Sequence, residues 1–323
     1  METKIFEGTV QTLSSISHNG GQSFGISTKL RREKFVQPDL SVEEIPVISG
    51  NSLRGMLRDR AMLHMCKILG YGVSEENGEV RGLTLAAFHF LFSGGALTSE
   101  GGKAIDIERA RTLRKVIPLV GVFGGALGNQ IMPGKLKIGK LIPICAETNH
   151  LLPEAYRNNK APSIWEYLQE EMYTRKDDAK NEHLRPLLSA GEQPELEGPT
   201  EDALIPDPAD DRPAKEHHQQ MMYYVETFAA GTPFYWRITL DDVTDIEFEA
   251  FLCGLAQFSR MPYIGGKSAV GLGEISVKFD KWLSIDSRVQ AESQEISVPL
   301  GMLYQQHLQD HGAEIREMLG AMV

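Results

Sequence analysis

The chain has 323 residues, 41% of them hydrophobic and 24% charged, an ordinary balance for a soluble globular protein of one large domain or two small ones. Collagen, coiled coil and wholesale disorder are excluded. The formal charge of −11, from 44 acidic and 33 basic residues, argues against a protein that coats nucleic acid through its overall field. The charge is uneven, however: Glu170 to Glu216 holds 14 acidic and 6 basic residues, whereas Lys103 to Lys140 holds eight basic residues against Asp106 and Glu108.

Lys4 to Ile16 alternates imperfectly and predicts a strand, running into a turn at His18-Asn19-Gly20-Gly21. Leu30 to Glu44 is polar, with Arg31, Arg32, Lys34, Pro38 and Asp39, and predicts a long loop or extended finger. Ile45 to Ser52 passes from an extended piece through a glycine turn to a helix start, with Asn51 or Ser52 able to cap it. Helical spacing of Leu53, Met56, Leu57, Ala61, Leu63 and Ile68 then predicts a helix from about Ser52 to Leu69.

Thr84 to Phe92 and Ile105 to Arg114 read as further helices, the second leading to Ile117-Pro118-Leu119. After the glycine-rich stretch Gly121 to Gly128, the alternation of Leu136 and Ile138 with Lys135 and Lys137 marks a strand with one basic, solvated face. A helix is expected around Ile164 to Met172, before an acidic, proline-bearing loop from Glu192 to Glu216. Strands follow at Tyr223 to Phe228 and Phe234 to Leu240, a helix at Ile246 to Phe258, a strand at Leu272 to Phe279, and an amphipathic helix closes the tail from Val298 to Val323. Stripped of insertions, the order strand, helix, strand, strand, helix, strand is that of a ferredoxin-like α+β domain.

Two glycine-bearing loops end core elements: Ser49-Gly50-Asn51-Ser52 before the first helix, and Ile264 to Gly273 before the last long strand. Glycines let backbone amides approach a phosphate, and a helix start adds partial positive charge. Each loop also reads as a tight turn. Gly266-Lys267-Ser268 suggests a P-loop, but its first glycine would have to stand at Met261, so the pattern fails. Arg54 and Arg58, four apart, share a helix face and could extend a phosphate track, or form an ordinary solvated face.

The nine histidines are scattered, and Cys66, Cys145 and Cys253 stand alone, so neither a metal site nor a disulfide framework is indicated. Adjacent Asp241-Asp242 and Asp177-Asp178 point apart, which leaves no acid–base pair. The basic-Gly-aromatic pattern of an RRM is missing, favouring backbone contacts over base reading. The N-terminus lacks an apolar leader core, and Leu83 to Phe92 is too short to cross a bilayer and contains His89. A cytoplasmic protein without membrane contact is expected.

Four features occur in order: Ile45-Pro46-Val47-Ile48-Ser49-Gly50-Asn51-Ser52-Leu53-Arg54-Gly55-Met56-Leu57-Arg58; Phe123-Gly124 followed by Gly134-Lys135-Leu136-Lys137-Ile138; Glu226 to Phe234; and Gly265-Gly266-Lys267-Ser268 to Gly273. Together, over about Ile5 to Phe279, they resemble the RAMP superfamily of CRISPR-associated proteins, in particular its backbone subunit and most of all the type IV form. The first departs from the family's I-P-G-S-S-L-K-G-x-L-R stretch at Val47-Ile48 and has Arg54 in place of lysine.

The resemblance implies a right-hand-shaped, α+β subunit acting in antiviral defence. Its ferredoxin-like (RRM-like) palm would span 1–280, with a finger at 17–45, a helical insertion at 70–118 and a thumb at about 150–222. A C-terminal extension would occupy 281–323. Implied partners are CRISPR RNA, further copies in a helical filament, other effector subunits, and a target nucleic acid, expected to be DNA, paired with the guide.

No cofactor or catalytic residue is expected. RNA contacts are expected from Ser49, Asn51, Ser52, Arg54, Arg58, Gly265, Gly266, Lys267 and Ser268; from Lys29, Arg31, Arg32 and Arg114; and from Tyr173, Arg175 and Lys176. Met221 or Met222 would be an apolar wedge between nucleotides, and Lys103 to Lys140 would line the guide or target groove. RNA-cleaving type III relatives carry an Asp in a loop upstream of the first motif. Aligning Phe24-Gly25-Ile26-Ser27 with that loop puts Ser27 at the acid, a poor ligand for a hard divalent metal. The enzyme alternative is a metal-dependent endoribonuclease using Asp39, and a third is a protein-interaction adaptor without RNA.

Overall fold

The structure is a computed structural model that describes residues 2–24, 27–72, 80–95, 107–127, 130–174, 222–285, 291–293 and 301–322. Arg175, Lys176, Met221, Lys103, most of the expected thumb and the acidic 192–216 segment lie outside the described residues.

The first strand, β1 (Glu2–Thr12), lies at the centre of the main sheet. Then come β2 (Asn19–Phe24), β3 (Ser27–Leu30), β4 (Arg32–Val36), β5 (Val42–Pro46) and the long helix α1 (Gly50–Ile68). The region expected to be a long loop or extended finger is extended, and more regular than expected: an antiparallel hairpin, β4–β5, in which Arg32 pairs with Pro46 and Val36 with Val42. Its polar sequence misleads because both faces of its outer half are largely solvated, so no apolar alternation is required.

A short helix α2 (Leu85–Phe88) continues into a π-turn at His89–Ser93. After α3 (Ile107–Val116) and α4 (Pro118–Phe123) come the small strands β6 (Gly125–Leu127), β7 (Gln130–Met132), β8 (Leu136–Ile138) and β9 (Ile142–Pro143). The helix expected at Ile164 to Met172 is instead one 3₁₀ turn, Ile164–Tyr167, followed by β10 (Leu168–Thr174). Helical spacing of a few apolar residues is overridden here by pairing with β11 (Met222–Phe228) along Leu168↔Phe228 to Thr174↔Met222.

Then follow β12 (Pro233–Val243), α5 (Asp245–Arg260), β13 (Ile275–Ile285), β14 (Ala291–Ser293), α6 (Met302–Asp310) and α7 (Gly312–Gly320). The tail is thus two helices rather than one.

The main sheet runs β14-β13-β1-β12-β8, with β9 also on β12 and every pair antiparallel. Leaving out β14 and β9, the order β13-β1-β12-β8 has the fourth palm strand beside the first, then the third and the second. That is the ferredoxin-like arrangement with α1 and α5 as its two helices, and α+β is the class. Phe6 on β1 binds the layers together, its ring centroid 6.2 Å from Phe248 and 5.8 Å from Phe251 of α5 and 5.5 Å from Phe279 of β13.

The start of α5 is a capping box: the Thr244 hydroxyl accepts from Glu247 N, while the Glu247 carboxylate accepts from Thr244 N at 2.8 Å. The same carboxylate pairs with Lys135 at 2.7 Å, tying α5 to the approach of β8. Tyr304, Leu308, Ile315 and Leu319 of the tail helices are buried, and the Glu249 carboxylate accepts from Tyr304 N at 3.1 Å. The three cysteines are buried as well, and desolvation pushes the Cys66 and Cys145 thiols up to about 11, as inert packing groups require.

Candidate nucleic-acid interface

The two glycine loops meet through a third segment, Ser15 to His18. Gly266 N donates to the Ser17 carbonyl at 2.9 Å and Gly273 N to the Ser15 carbonyl at 2.8 Å. One residue on, His18 Nε2 accepts from Ser49 N at 3.1 Å. His18 must therefore carry its proton on Nδ1. Burial, with the Arg31 charge second, pushes its pKa below the ordinary histidine value, so the ring is neutral, as this bond demands. The Gly265 position has φ +78°, and a Cβ there would lie 2.3 Å from the Ser17 carbonyl oxygen, so the chain can pass this close only with glycine.

Ser49, rather than Asn51 or Ser52, caps α1, accepting from Ser52 N at 3.2 Å. It takes that place because Gly50 already belongs to the helix; a Cβ on Gly50 would meet the Ile138 carbonyl oxygen at 2.5 Å. The N–H groups of Gly50 and Asn51 have no acceptor within the helix, and the first turn holds no acidic side chain to neutralise its partial positive charge. Asn51 is exposed and Ser52 half-buried.

In the other loop Gly266, Lys267 and Ser268 are exposed. Lys267 sits in the left-handed region at φ +63°, unusual for a non-glycine residue, and its ammonium lies 4.0 Å from the centroid of the Tyr173 ring on β10. The Tyr173 hydroxyl donates to Glu171 at 2.6 Å, which keeps the ring under the lysine. Ser49, Asn51, Ser52, Gly265, Gly266, Lys267, Ser268 and Tyr173 are thus gathered round the Ser17–His18 junction.

The other cations expected at RNA are placed differently. Arg54 donates to the Leu136 carbonyl at 3.1 Å and the Phe123 carbonyl at 2.5 Å, and Arg58 donates to the same Phe123 oxygen at 2.7 Å and to Gly124 at 3.1 Å. Both hold the C-terminal end of α4 rather than extend a track from Ser49. Desolvation lowers both pKa values, that of Arg58 also through Arg54. Arg114 donates to the Pro133 carbonyl beside the same group.

Arg32 pairs with the buried Glu226 carboxylate at 2.6 Å, and Lys29 lies 3.2 Å from Glu170 and 3.9 Å from Glu226. Arg31 lies 3.9 Å from Glu33 and stays exposed. In the basic stretch, Lys135, Lys137 and Lys140 pair with Glu247, Asp241 and Glu33. The three lysines of this end of the stretch are thus ion-paired to three different acids.

His18 and Glu226 were not among the expected site residues. His18 sits in a stretch that reads only as a turn, and Glu226 lies inside a motif whose other members are apolar or small. Asp39 is exposed at the tip of the β4–β5 hairpin, accepting from Ser41 N at 3.0 Å and Ser41 Oγ at 2.7 Å, bonds that lower its pKa. Among the described residues no three His, Cys, Asp or Glu side chains are grouped to hold a metal ion.

No protein-family model matches the chain, and no curated protein matches it in sequence. A chain of a solved structure described as "Type IV-B CRISPR Complex" does match in three dimensions, with a TM-score of 0.55 and 21% identity, over 93% of this chain and 95% of that one. The chain shares that fold. The likeness runs over nearly the whole chain and agrees with the α+β class read from the order of the elements. Among the described residues no helix is long and apolar enough to cross a membrane.

Proposed function

We propose that this protein is a non-catalytic backbone subunit of a CRISPR effector ribonucleoprotein of type IV character. Several copies polymerise along one CRISPR RNA and present its bases for pairing with a target strand, which we take to be DNA. The observation that carries this reading is the convergence of Ser49 to Ser52 and Gly265 to Ser268 on the Ser17–His18 segment. One exposed face there offers the amides of a helix start, a glycine loop, Lys267 and the Tyr173 ring, which suits a sugar-phosphate backbone passing without base-specific contacts. The fold shared with a chain of a CRISPR complex gives that face a biological setting, and other effector subunits would join it there. The role calls for no cofactor and implies a cytoplasmic location.

The acidic net charge suits a filament whose outer face stays soluble while local backbone dipoles hold the guide. Co-expression with a CRISPR array and partner subunits, followed by sizing and sequencing of the bound nucleic acid, tests the proposal. The expected result is a large particle carrying uniform spacer-repeat RNA, whereas a monomer free of RNA returns the protein to the adaptor reading. Complementary target RNA added with Mg²⁺ is expected to stay intact; regular cuts lost in Asp39→Ala would make the protein an endoribonuclease.

A further inference from the structure

The β4–β5 hairpin ends in a tip that is stiff, apolar and exposed. Gln37 N donates to the Ser41 carbonyl at 2.8 Å and Leu40 N to the Gln37 carbonyl at 2.9 Å, and Asp39 bonds Ser41 twice. Within this closed turn Leu40 is held at φ +69°, a conformation that is costly for a bulky side chain, and it is 81% exposed. Val36 and Val42 beside it are also exposed. From Phe35 to Glu44 the hairpin carries Asp39, Glu43 and Glu44 and no base. Leu40 is thus presented outward on an acidic projection.

Elsewhere the surface has the complementary shape. A groove of about 370 Å³ between α1, the α2–π-turn segment and the end of α5 is lined by Met56, Leu63, Phe88, Phe92, Phe258 and Tyr263, with Asp59 and Arg60. Phe88 and Leu63 are 47% and 41% exposed, and the Phe88 and Phe92 rings lie 5.1 Å apart, forming an aromatic wall open to solvent. Arg60, Lys67 and Arg260 stand on or beside this face, and none of them makes an ion pair with an acid among the described residues. Asp59 is the one acid lining it, and desolvation raises its pKa.

We infer that the hairpin tip of one copy docks in this groove of the next, Leu40 entering between Leu63 and the Phe88–Phe92 wall while Asp39, Glu43 and Glu44 face Arg60, Lys67 and Arg260. Knob and hole lie on different parts of one chain, so the contact is head-to-tail, of the kind that builds rings or open filaments rather than isologous dimers. The apolar anchor supplies affinity, and the opposite charges set register and speed encounter. This deepens the scaffold reading, on which it rests, by naming the surface that joins copies.

The test uses the full chain without RNA, in sedimentation velocity over a concentration series. Wild type is expected to pass through dimers to longer species. Leu40→Asp and Phe88→Asp are each expected to be monomeric alone, and their mixture to stop at a dimer, because each supplies the one surface the other lacks. Should Phe88→Asp not fold, Arg60→Glu serves in its place: about tenfold weaker association is expected, restored when Glu43→Arg is placed in the same chain.

Wild type that stays monomeric, Leu40→Asp that associates as wild type does, or a Phe88→Asp variant that loses RNA affinity while self-association persists overturns the inference, the last by giving the groove to nucleic acid. Wild type that is monomeric without RNA yet still binds RNA when it is supplied overturns this contact alone. Loss of RNA with association intact sinks the guide-binding reading instead.

Discussion

At the start of α1 the protein leaves backbone amides without helical acceptors, whereas one to two turns later on the same helix Arg54 and Arg58 turn inward onto the Phe123, Gly124 and Leu136 carbonyls. Both regions look alike in sequence, as polar or cationic residues at short spacing in one motif. The difference is set by neighbours. Glycines at 50 and 265 let other backbone segments come close, while the Phe123 and Gly124 carbonyls at the end of the short helix α4 take up the two guanidinium groups. Charge in a motif therefore says less about a ligand than what unsatisfied backbone lies within reach of it.

Several substitutions would break or sharpen this contrast. The largest effect is expected from Gly265→Ala, whose new Cβ collides with the Ser17 carbonyl in a left-handed backbone. About 2–3 kcal/mol of stability should go, read by denaturant unfolding, with RNA binding lost alongside because the junction itself is displaced. Next, Arg58→Ala should cost about 2 kcal/mol, the usual worth of charged hydrogen bonds to carbonyls left unpaired. It should leave the salt dependence of RNA affinity unchanged, and a shallower slope would put Arg58 on the phosphate after all.

A smaller effect is expected from pH. The pKa of His18 is lowered in the folded protein, so the unfolded chain binds the proton more readily. The contribution of the Ser49–His18 bond is full above the unfolded value of 6.5 and is lost as pH falls through the interval below it. His64 is shifted the same way, by burial and then by Arg260 and Lys67. Comparing His18→Gln with His64→Gln assigns the slope: the protection of the Ser49 amide relative to its intrinsic exchange rate should fall on acidification in wild type and His64→Gln, but not in His18→Gln.

Much of the palm could be read from sequence because its elements follow simple periods. The strand of Phe6 and Val10, the α1 stripe of Leu53, Leu57 and Ala61, and the α5 face of Phe248, Phe251 and Leu252 all bury one side. The glycine loops were legible for the same reason, since glycine has few uses besides tight approach. The β4–β5 hairpin and β10 were not, because their residues answer to partners distant in the chain rather than to an apolar period. The roles of His18, Arg32 and Arg58 were hidden too: each depends on one acceptor or donor, Ser49 N, Glu226 or the Phe123 carbonyl, that only the folded chain brings near.

The most direct test of the central claim is the salt dependence of RNA affinity for Lys267→Ala, measured beside Arg58→Ala. Lys267 is exposed and rests on Tyr173, so its loss should change stability by no more than about 0.5 kcal/mol. If the loop holds the guide backbone, binding weakens for all sequences alike, and the slope of log K against log salt becomes shallower by about 0.7, one phosphate contact on a single strand. An unchanged slope with Lys267→Ala, or a loss confined to particular RNA sequences, would contradict the account.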